Sequence, residues 1–185
     1  MPAEDSDRRR LLSGGLGLGA LGLLTGCSSA ALGAHETVRP GSDAALLNNL
    51  LSLEYQAIAA YDVVLARAAL GAEEAERLAL FQADHRRHAE AISAAVMRRK
   101  TVPVARAPLG SYGFELPAPA SREEALHFLV GIESGLAHAH LGAVPALSDH
   151  DLAKGTAGIL AVEAMHWTIF RTALGEPAVP TPILG

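Results

Sequence analysis

The sequence predicts an all-α protein, an antiparallel four-helix bundle with a long crossover between the second and third helices. Alanine and leucine dominate a chain that is 50% hydrophobic and only 4% aromatic, which favours helix over strand. Apolar residues recur at spacings of three and four in four segments. Short breaks join the first two segments and the last two, whereas a long proline-rich stretch separates the two pairs.

The first two predicted helices cover about 43–70 and 72–99, with Ser42 as the first N-cap and Gly71 as the break. The apolar stripe of the first helix includes one glutamate: Leu47, Leu50, Leu51, Glu54, Ile58, Tyr61 and Leu65. The stripe of the second includes two histidines: Leu78, Phe81, His85, His88, Ile92 and Val96. Because the break is short, these helices should form an antiparallel hairpin.

Residues 101–120 contain four prolines and two glycines, too many helix breakers for a helix to persist. A connection of this length is expected to cross the whole bundle. Ser121 and Glu124 then form a predicted capping box at the start of the third helix, which ends near Pro145. Its stripe again contains ionisable residues: Leu126, Leu129, Glu133, Leu136, His140 and Val144.

A second capping box, Ser148 with Asp151, is predicted to open the fourth helix, and Gly175 is predicted to end it. The stripe of this helix is Leu152, Ile159, Glu163, His166, Phe170 and Leu174. The bundle is therefore expected to occupy 42–175, with a loose tail over 176–185.

The N-terminal segment, 1–27, is predicted to be an export signal. A basic stretch, Arg8 to Arg10, enters a short glycine-rich apolar run that is too short to span a membrane. The Arg-Arg-Leu-Leu pattern resembles a twin-arginine signal, and the run ends on Leu-Thr-Gly-Cys27, which resembles a bacterial lipobox. This resemblance implies lipidation of Cys27, with 28–41 as a tether, and places the bundle on the outer face of the cell membrane. An ordinary signal peptide with an incidental cysteine is the alternative.

The polar residues on the four stripes are predicted to lie at one height. Glu54 and His88 are equidistant from Gly71, and Glu133 and Glu163 are equidistant from Ser148. In an antiparallel hairpin this places all four near mid-bundle, roughly 25 Å from either turn. His85 and His166 lie three residues from His88 and Glu163, so the predicted site contains six residues: Glu54, His85, His88, Glu133, Glu163 and His166.

Metal ligation is the chemistry that this set suits best. Buried charges cost several kcal/mol unless they are paired or bound to a metal, and three carboxylates brought together without a cation would raise at least one pKa. A mixed set of carboxylate and imidazole ligands favours iron, manganese or zinc over calcium. The alternative is a buried hydrogen-bonded network of glutamates and histidines that only specifies the bundle.

The Glu163-x-x-His166 motif, with lone glutamates on the first and third helices, resembles the ferritin-like di-iron carboxylate superfamily of ferritins, bacterioferritins and rubrerythrins. The resemblance covers about 42–174 and implies iron as the metal. It implies that Glu54 and Glu133 are terminal ligands and that Glu163 bridges two ions. It further implies that His88 and His166 each bind one ion, with Tyr61 close by, although a core aromatic residue is an equal alternative for Tyr61. From its position on the third stripe, His140 is expected to be a core histidine or a supporting residue beside the ligands rather than a ligand.

The second helix departs from the family pattern, because His85 stands where the family has a glutamate. One bridging carboxylate is therefore missing, so a mononuclear site is as conceivable as a dinuclear one. Asp84 could compensate only if the helix were rotated. We expect an exported protein that binds iron or another transition metal and oxidises iron or handles peroxide, as a non-haem iron oxidoreductase if it is an enzyme. A metal-free scaffold of the cell envelope and a carrier of another metal are the rival hypotheses.

Other features exclude several function classes. The formal charge of −5 gives no reason to expect nucleic-acid binding, and we find no phosphate-binding loop or catalytic triad. His127, His138 and His150 fall off the stripes and are expected at the surface. The membrane, through Cys27, is the one predicted partner; a homodimer and a redox partner of unknown identity are left open.

Overall fold

The computed structural model describes residues 42–114 and 119–178, and within these ranges the protein is the predicted all-α four-helix bundle. Its helices are α1 Asp43–Arg67, α2 Ala72–Arg98, α3 Arg122–Ala143 and α4 His150–Ala173, with short 3-10 turns at Leu109–Ser111 and Val144–Ala146. The predicted signal segment, the tether and the end of the tail lie outside the described residues. No helix in the described ranges has both the length and the apolarity that a membrane span requires.

The helix starts follow the capping signals, with one exception. Ser42 accepts a hydrogen bond from the Ala45 amide, and Ser121 forms the predicted capping box with Glu124. At α4 the predicted capping box of Ser148 and Asp151 is wrong, because Asp149 is the N-cap and accepts from the amides of residues 151 and 152.

The physical reason for this correction is a contact from the start of α1. The Asp43 carboxylate accepts hydrogen bonds from the Ser148 hydroxyl at 3.0 Å and from the Ser148 and Asp149 amides at 2.8 and 3.1 Å. The hydroxyl of Ser148 is thereby engaged with α1, and the neighbouring aspartate caps α4. Asp43 thus ties the α3–α4 turn to the first helix.

The helix ends differ from prediction by one to three residues. α1 ends at Arg67, not near residue 70, because Ala68 is extended and the Ala69 amide donates to the carbonyl of Ala120. The chain therefore leaves α1 to meet the end of the crossover. Gly71, predicted as the break, is the extended N-cap of α2.

The long connection after α2 runs along α1, as its length predicts. Near its start, the Asn48 side chain bonds the backbone of Val102 and Val104 at 3.2 and 2.8 Å. Further along, Arg106 pairs with Asp62 at 2.7 Å. The crossover thus returns the chain to the opposite end of the bundle, so that α3 runs antiparallel to both α1 and α4.

Two apolar clusters fill the core and leave a polar layer between them. One cluster lies near the start of α1, and its members are Leu47, Leu50, Leu51, Ile58, Ala89, Ile92, Ala95, Val96 and Ala143. The other lies near the end of α1, and its members are Tyr61, Val64, Leu78, Phe81, Ala125, Leu126, Leu129 and Phe170. Burial of these side chains stabilises the bundle, and the ionisable residues of all four helices meet between them.

Candidate metal centre

Glu54 on α1 is surrounded by three histidines. Its Oε2 atom lies 3.0 Å from Nδ1 of His85, and its Oε1 atom lies 3.1 Å from Nε2 of His140 and 3.6 Å from Nδ1 of His88. The side chain is fully buried. These imidazoles therefore take the place of the water that a carboxylate normally keeps.

Glu163 on α4 faces the two histidines of α2. Its Oε1 atom lies 2.8 Å from Nδ1 of His88, and its Oε2 atom lies 3.7 Å from Nδ1 of His85. Among the six predicted ligands, His88 is the one whose side chain keeps some exposure, 13%. The site therefore approaches solvent at the His88–Glu163 edge.

Glu133 on α3 lies on the other side of His85. Its Oε1 atom is 3.1 Å from Nε2 of His85 and accepts a 2.5 Å hydrogen bond from the Tyr61 hydroxyl. Its Oε2 atom is 3.6 Å from Nδ1 of His166. Tyr61 thus contacts Glu133, and His140 contacts Glu54, so each lies beside a carboxylate that faces the other candidate ligands.

Asp84 does not enter the site in place of the missing glutamate. Its Oδ2 atom lies 3.4 Å from Nε2 of His166, and its carboxylate also pairs with Arg87. The His166 ring stacks on Phe81, with centroids 4.0 Å apart. Asp84 and Phe81 therefore hold the ring of His166 so that Nδ1 is the nitrogen that faces Glu133, an orienting arrangement common behind metal-binding histidines.

The six predicted residues converge into two overlapping donor sets. In each set, one ligand atom per residue lies within 4.8 Å of all the others. The first set is Glu54, His85, His88 and Glu163, and the second is His85, Glu133, Glu163 and His166. His85 and Glu163 belong to both, so the arrangement has two halves that share these two side chains.

The carboxylates of Glu54 and Glu133 are held in the ionised form. Burial alone would raise the pKa of Glu54, but contacts with His140, His85 and His88 outweigh burial and lower it. Burial would also raise the pKa of Glu133, but its contacts with His166 and His85 outweigh burial and lower the pKa to about 2. Burial would lower the pKa of His85, but the same two carboxylates raise it well above its ordinary value.

Of the three buried carboxyl groups of the donor sets, only that of Glu163 has a raised pKa. Burial raises its pKa to about 8, and the charges of Glu54 and Glu133 add to the rise against the opposing contact with His88. Burial would lower the pKa of His88, but Glu163 and Glu54 raise it to about 9. Near neutral pH, these shifts favour negative charge on Glu54 and Glu133 and positive charge on His85 and His88. The two negative and two positive charges then cancel within the core.

The donor atoms fit a transition-metal ion in two respects. Two donor atoms that bind one ion at about 2.0–2.1 Å lie about 2.9–3.4 Å apart, close to the contacts measured here. In the part of the chain that the structure describes, several buried donor atoms also lack a hydrogen-bond partner. They are both ring nitrogens of His166, Nδ1 of His88, both carboxylate oxygens of Glu163 and Oε2 of Glu133. Nδ1 of His88 and Oε1 of Glu163 lie 2.8 Å apart, but their orientation does not form a hydrogen bond. Leaving such groups unpaired is costly, and a bound cation would satisfy those that face the site, whereas Nε2 of His166 faces Asp84.

Sequence reasoning missed two side chains that shape the site. The sequence presents Asp84 only as a possible ligand and Phe81 only as a residue of the apolar stripe. Both lie on α2 one turn or less before His85, and the signal that could have identified them is their position facing the Glu-x-x-His motif of α4. The histidines predicted at the surface, His127, His138 and His150, are exposed.

The sequence matches the family described as ferritin-like domain over residues 42–176. The chain belongs to the ferritin-like family. The match covers all four helices and every residue of the two donor sets, so the resemblance carried by the glutamates and histidines is borne out at the level of the family.

The bundle of this ferritin-like protein is also similar to a solved structure. A conserved hypothetical protein, rv2844, from Mycobacterium tuberculosis superposes with a TM-score of 0.63 at 21% sequence identity, covering 75% of this chain and 94% of that one. At this identity the likeness shows the fold alone. No curated protein matches the sequence.

Proposed function

We propose that this ferritin-like protein binds one or two transition-metal ions, iron foremost, at the centre of its bundle. The observation that carries the proposal is the pair of overlapping donor sets, each with two carboxylates and two imidazoles within 4.8 Å. Glu54, His88 and Glu163 would hold one ion and Glu133 and His166 the other, with His85 between them. Manganese and zinc suit the same mixed set of ligands.

The chemistry proposed for the loaded protein is oxidation of iron or reduction of peroxide, in the manner of a non-haem iron oxidoreductase. A bound iron would supply the redox change. The residues of the chain exclude water from most of the site, and Tyr61 holds Glu133 in place. A small reactant would reach the site at the His88 edge, close to an apolar groove of about 230 Å³ between α2 and α4 that includes Ile92 and Ile159, one helical turn from His88 and Glu163.

The proposed location is outside the cytoplasm, on the membrane, through lipidated Cys27. This part of the proposal rests on the lipobox-like and twin-arginine-like patterns of the N-terminal segment. Mass spectrometry of the membrane-extracted protein tests it: the expected N-terminal peptide starts at a diacylated Cys27, and a Cys27→Ser variant should appear in the soluble fraction.

Metal content tests the central part of the proposal. The purified full-length protein from metal-replete cells should contain one or two transition-metal ions per chain by elemental analysis. A Glu163→Ala and His166→Ala double variant removes ligands from both donor sets and should lose the metal. The matched control, His138→Ala on α3, changes an exposed histidine and should keep it. Equal metal content in all three proteins would show that the core is not the site.

A metal-free scaffold is the second candidate function. The observation in its favour is the set of contacts of 2.8–3.1 Å by which His85 and His88 already pair with the three buried glutamates. Such a network could specify the bundle without a cation. Wild-type protein that remains without metal after incubation with ferrous, manganous and zinc ions would favour this candidate and contradict the first.

A further inference from the structure

The two ring nitrogens of His85 face opposite halves of the site. Nδ1 lies 3.0 Å from Oε2 of Glu54 and 3.7 Å from Oε2 of Glu163, which belong to the half that includes His88. Nε2 lies 3.1 Å from Oε1 of Glu133, in the half that includes His166. An imidazole has one donor atom on each side of its ring, so a single side chain can contact both halves.

Three other rings surround the buried imidazole of His85. The side chain is fully buried. Its ring centroid lies 5.2 Å from that of Tyr61, 5.6 Å from that of His166 and 6.0 Å from that of His88. A rotation that turned both nitrogens toward one half would abandon either Glu54 or Glu133.

We propose that His85 bridges two metal ions, one on each ring nitrogen, as an imidazolate. The inference rests on the proposed function, since it requires the core to bind metal. Binding an ion at each nitrogen displaces the N–H protons of the ring into solvent, and no electron is transferred. The ligands of the first ion would be Glu54, His88 and Glu163 beside Nδ1, and those of the second Glu133 and His166 beside Nε2.

An imidazolate bridge has two consequences for the metals. With metal–nitrogen bonds of about 2.0–2.1 Å on each side of the ring, the two ions would lie about 6 Å apart, farther than the roughly 3.5–4 Å typical of paired catalytic metals. Imidazole also favours copper and zinc more than a carboxylate does. We therefore infer that His85 shifts the selectivity of the site toward Cu²⁺ and Zn²⁺ relative to a glutamate at this position.

Titration of the full-length, metal-free protein with Cu²⁺, followed by electron paramagnetic resonance, tests the bridge. The expected result is binding of two ions and loss of most of the integrated signal as the second ion binds, because the ring couples the two spins. Replacing one Cu²⁺ by Zn²⁺ should restore the signal of a single copper. Two bound ions that retain the full signal of isolated copper would overturn the bridge, as would binding of only one ion.

Matched variants show whether His85 or Glu163, the other side chain shared by both donor sets, couples the two ions. His85→Gln keeps one ligand atom but cannot bridge through a ring, so any pair of ions it binds should lose the spin coupling. His138→Gln, at an exposed position, should behave as wild type, and circular dichroism checks that both variants fold. Coupling that survives in His85→Gln would overturn the bridge. If His85→Gln does not fold, the wild-type titration alone decides. Absence of any bound Cu²⁺, Zn²⁺ or Fe²⁺ in the wild type would instead contradict the proposed function itself.

Discussion

Individual side chains in the core show how three buried carboxyl groups coexist in one bundle. Glu54 and Glu133 keep their charge because imidazoles contact them, and Glu163, whose pKa is raised to about 8, takes up a proton. The free-energy cost of burying three carboxyl groups is thus reduced in two ways: Glu163 is neutralised by a proton, and Glu54 and Glu133 are paired with imidazoles. In the proposed function the same groups would become metal ligands when the protons leave, so protons and metal would compete for this site.

Removal of the Tyr61 hydroxyl tests how much its contact with Glu133 stabilises the core. The hydroxyl donates to the buried carboxylate at 2.5 Å. A hydrogen bond to a charged group contributes about 1.5–3 kcal/mol, so Tyr61→Phe should lower the free energy of unfolding of the metal-free protein by about that amount. Urea unfolding measures the change.

Tyr55→Phe is the matched control for this measurement. Tyr55 lies on the same helix, is partly buried, and makes no hydrogen bond through its hydroxyl within the described part of the chain. Its loss should change the free energy of unfolding by less than about 0.5 kcal/mol. Equal effects of the two substitutions would mean that the contact between Tyr61 and Glu133 adds nothing to stability.

At the scale of helices, the sequence predicted most of the architecture because helical periodicity is a strong signal. The spacing of apolar residues placed all four helices, and the symmetric positions of Glu54 and His88 about Gly71 predicted that the two would lie at one height. The end of α1 and the cap of α4 depend instead on contacts between distant residues, Ala69 with Ala120 and Asp43 with Ser148. Local patterns cannot reveal such contacts, and for the same reason the role of Asp84 beside His166 was missed.

The correction at α4 predicts unequal effects for two adjacent residues. Asp149 caps the helix and also pairs with Arg99 at 2.5 Å, which ties the end of α2 to the start of α4. Asp149→Ala should therefore reduce the free energy of unfolding by about 1–2 kcal/mol. Ser148→Ala loses only the exposed contact of its hydroxyl with Asp43 and should cost less.

Thermal or urea unfolding of the two alanine variants decides which residue is the cap. A larger loss in Ser148→Ala than in Asp149→Ala would restore the capping box predicted from sequence and contradict the structure at this helix start.

For the molecule as a whole, the polar layer makes the stability of the metal-free protein depend on pH. Glu163 has its pKa raised from 4.5 to about 8, and His88 has its pKa raised from 6.5 to about 9. Glu163 therefore contributes fully to the free energy of unfolding below pH 4.5, and this contribution is lost as the pH rises through 8. His88 contributes fully below pH 6.5, and its contribution is lost as the pH rises through 9. Glu133, lowered to about 2, contributes above pH 4.5 and loses its contribution as the pH falls toward 2.

The melting temperature of the chelator-treated protein should therefore be highest near pH 4.5 and fall from there to about pH 9, most steeply between pH 6.5 and 8, where Glu163 and His88 both contribute to the fall. In a domain of this size each kcal/mol lost lowers the melting temperature by roughly 2–4 °C. Glu163→Gln cannot ionise and should flatten the part of this fall that lies below pH 8. With metal bound, stability should instead rise over the same range, because protons no longer compete for the ligands. A metal-free melting temperature that rises from pH 6.5 to 9 would contradict the assigned charges.

Anomalous diffraction decides whether the core of the bundle holds the metal. Crystals of the metal-loaded protein, measured at the absorption edge of the metal, would locate each ion by its anomalous signal. We expect the signal at mid-bundle, between Glu54, His88 and Glu163 on one side of His85 and between Glu133 and His166 on the other. Metal-containing crystals whose anomalous peaks lie only at exposed histidines such as His127 or His138, with none in the core, would contradict the account.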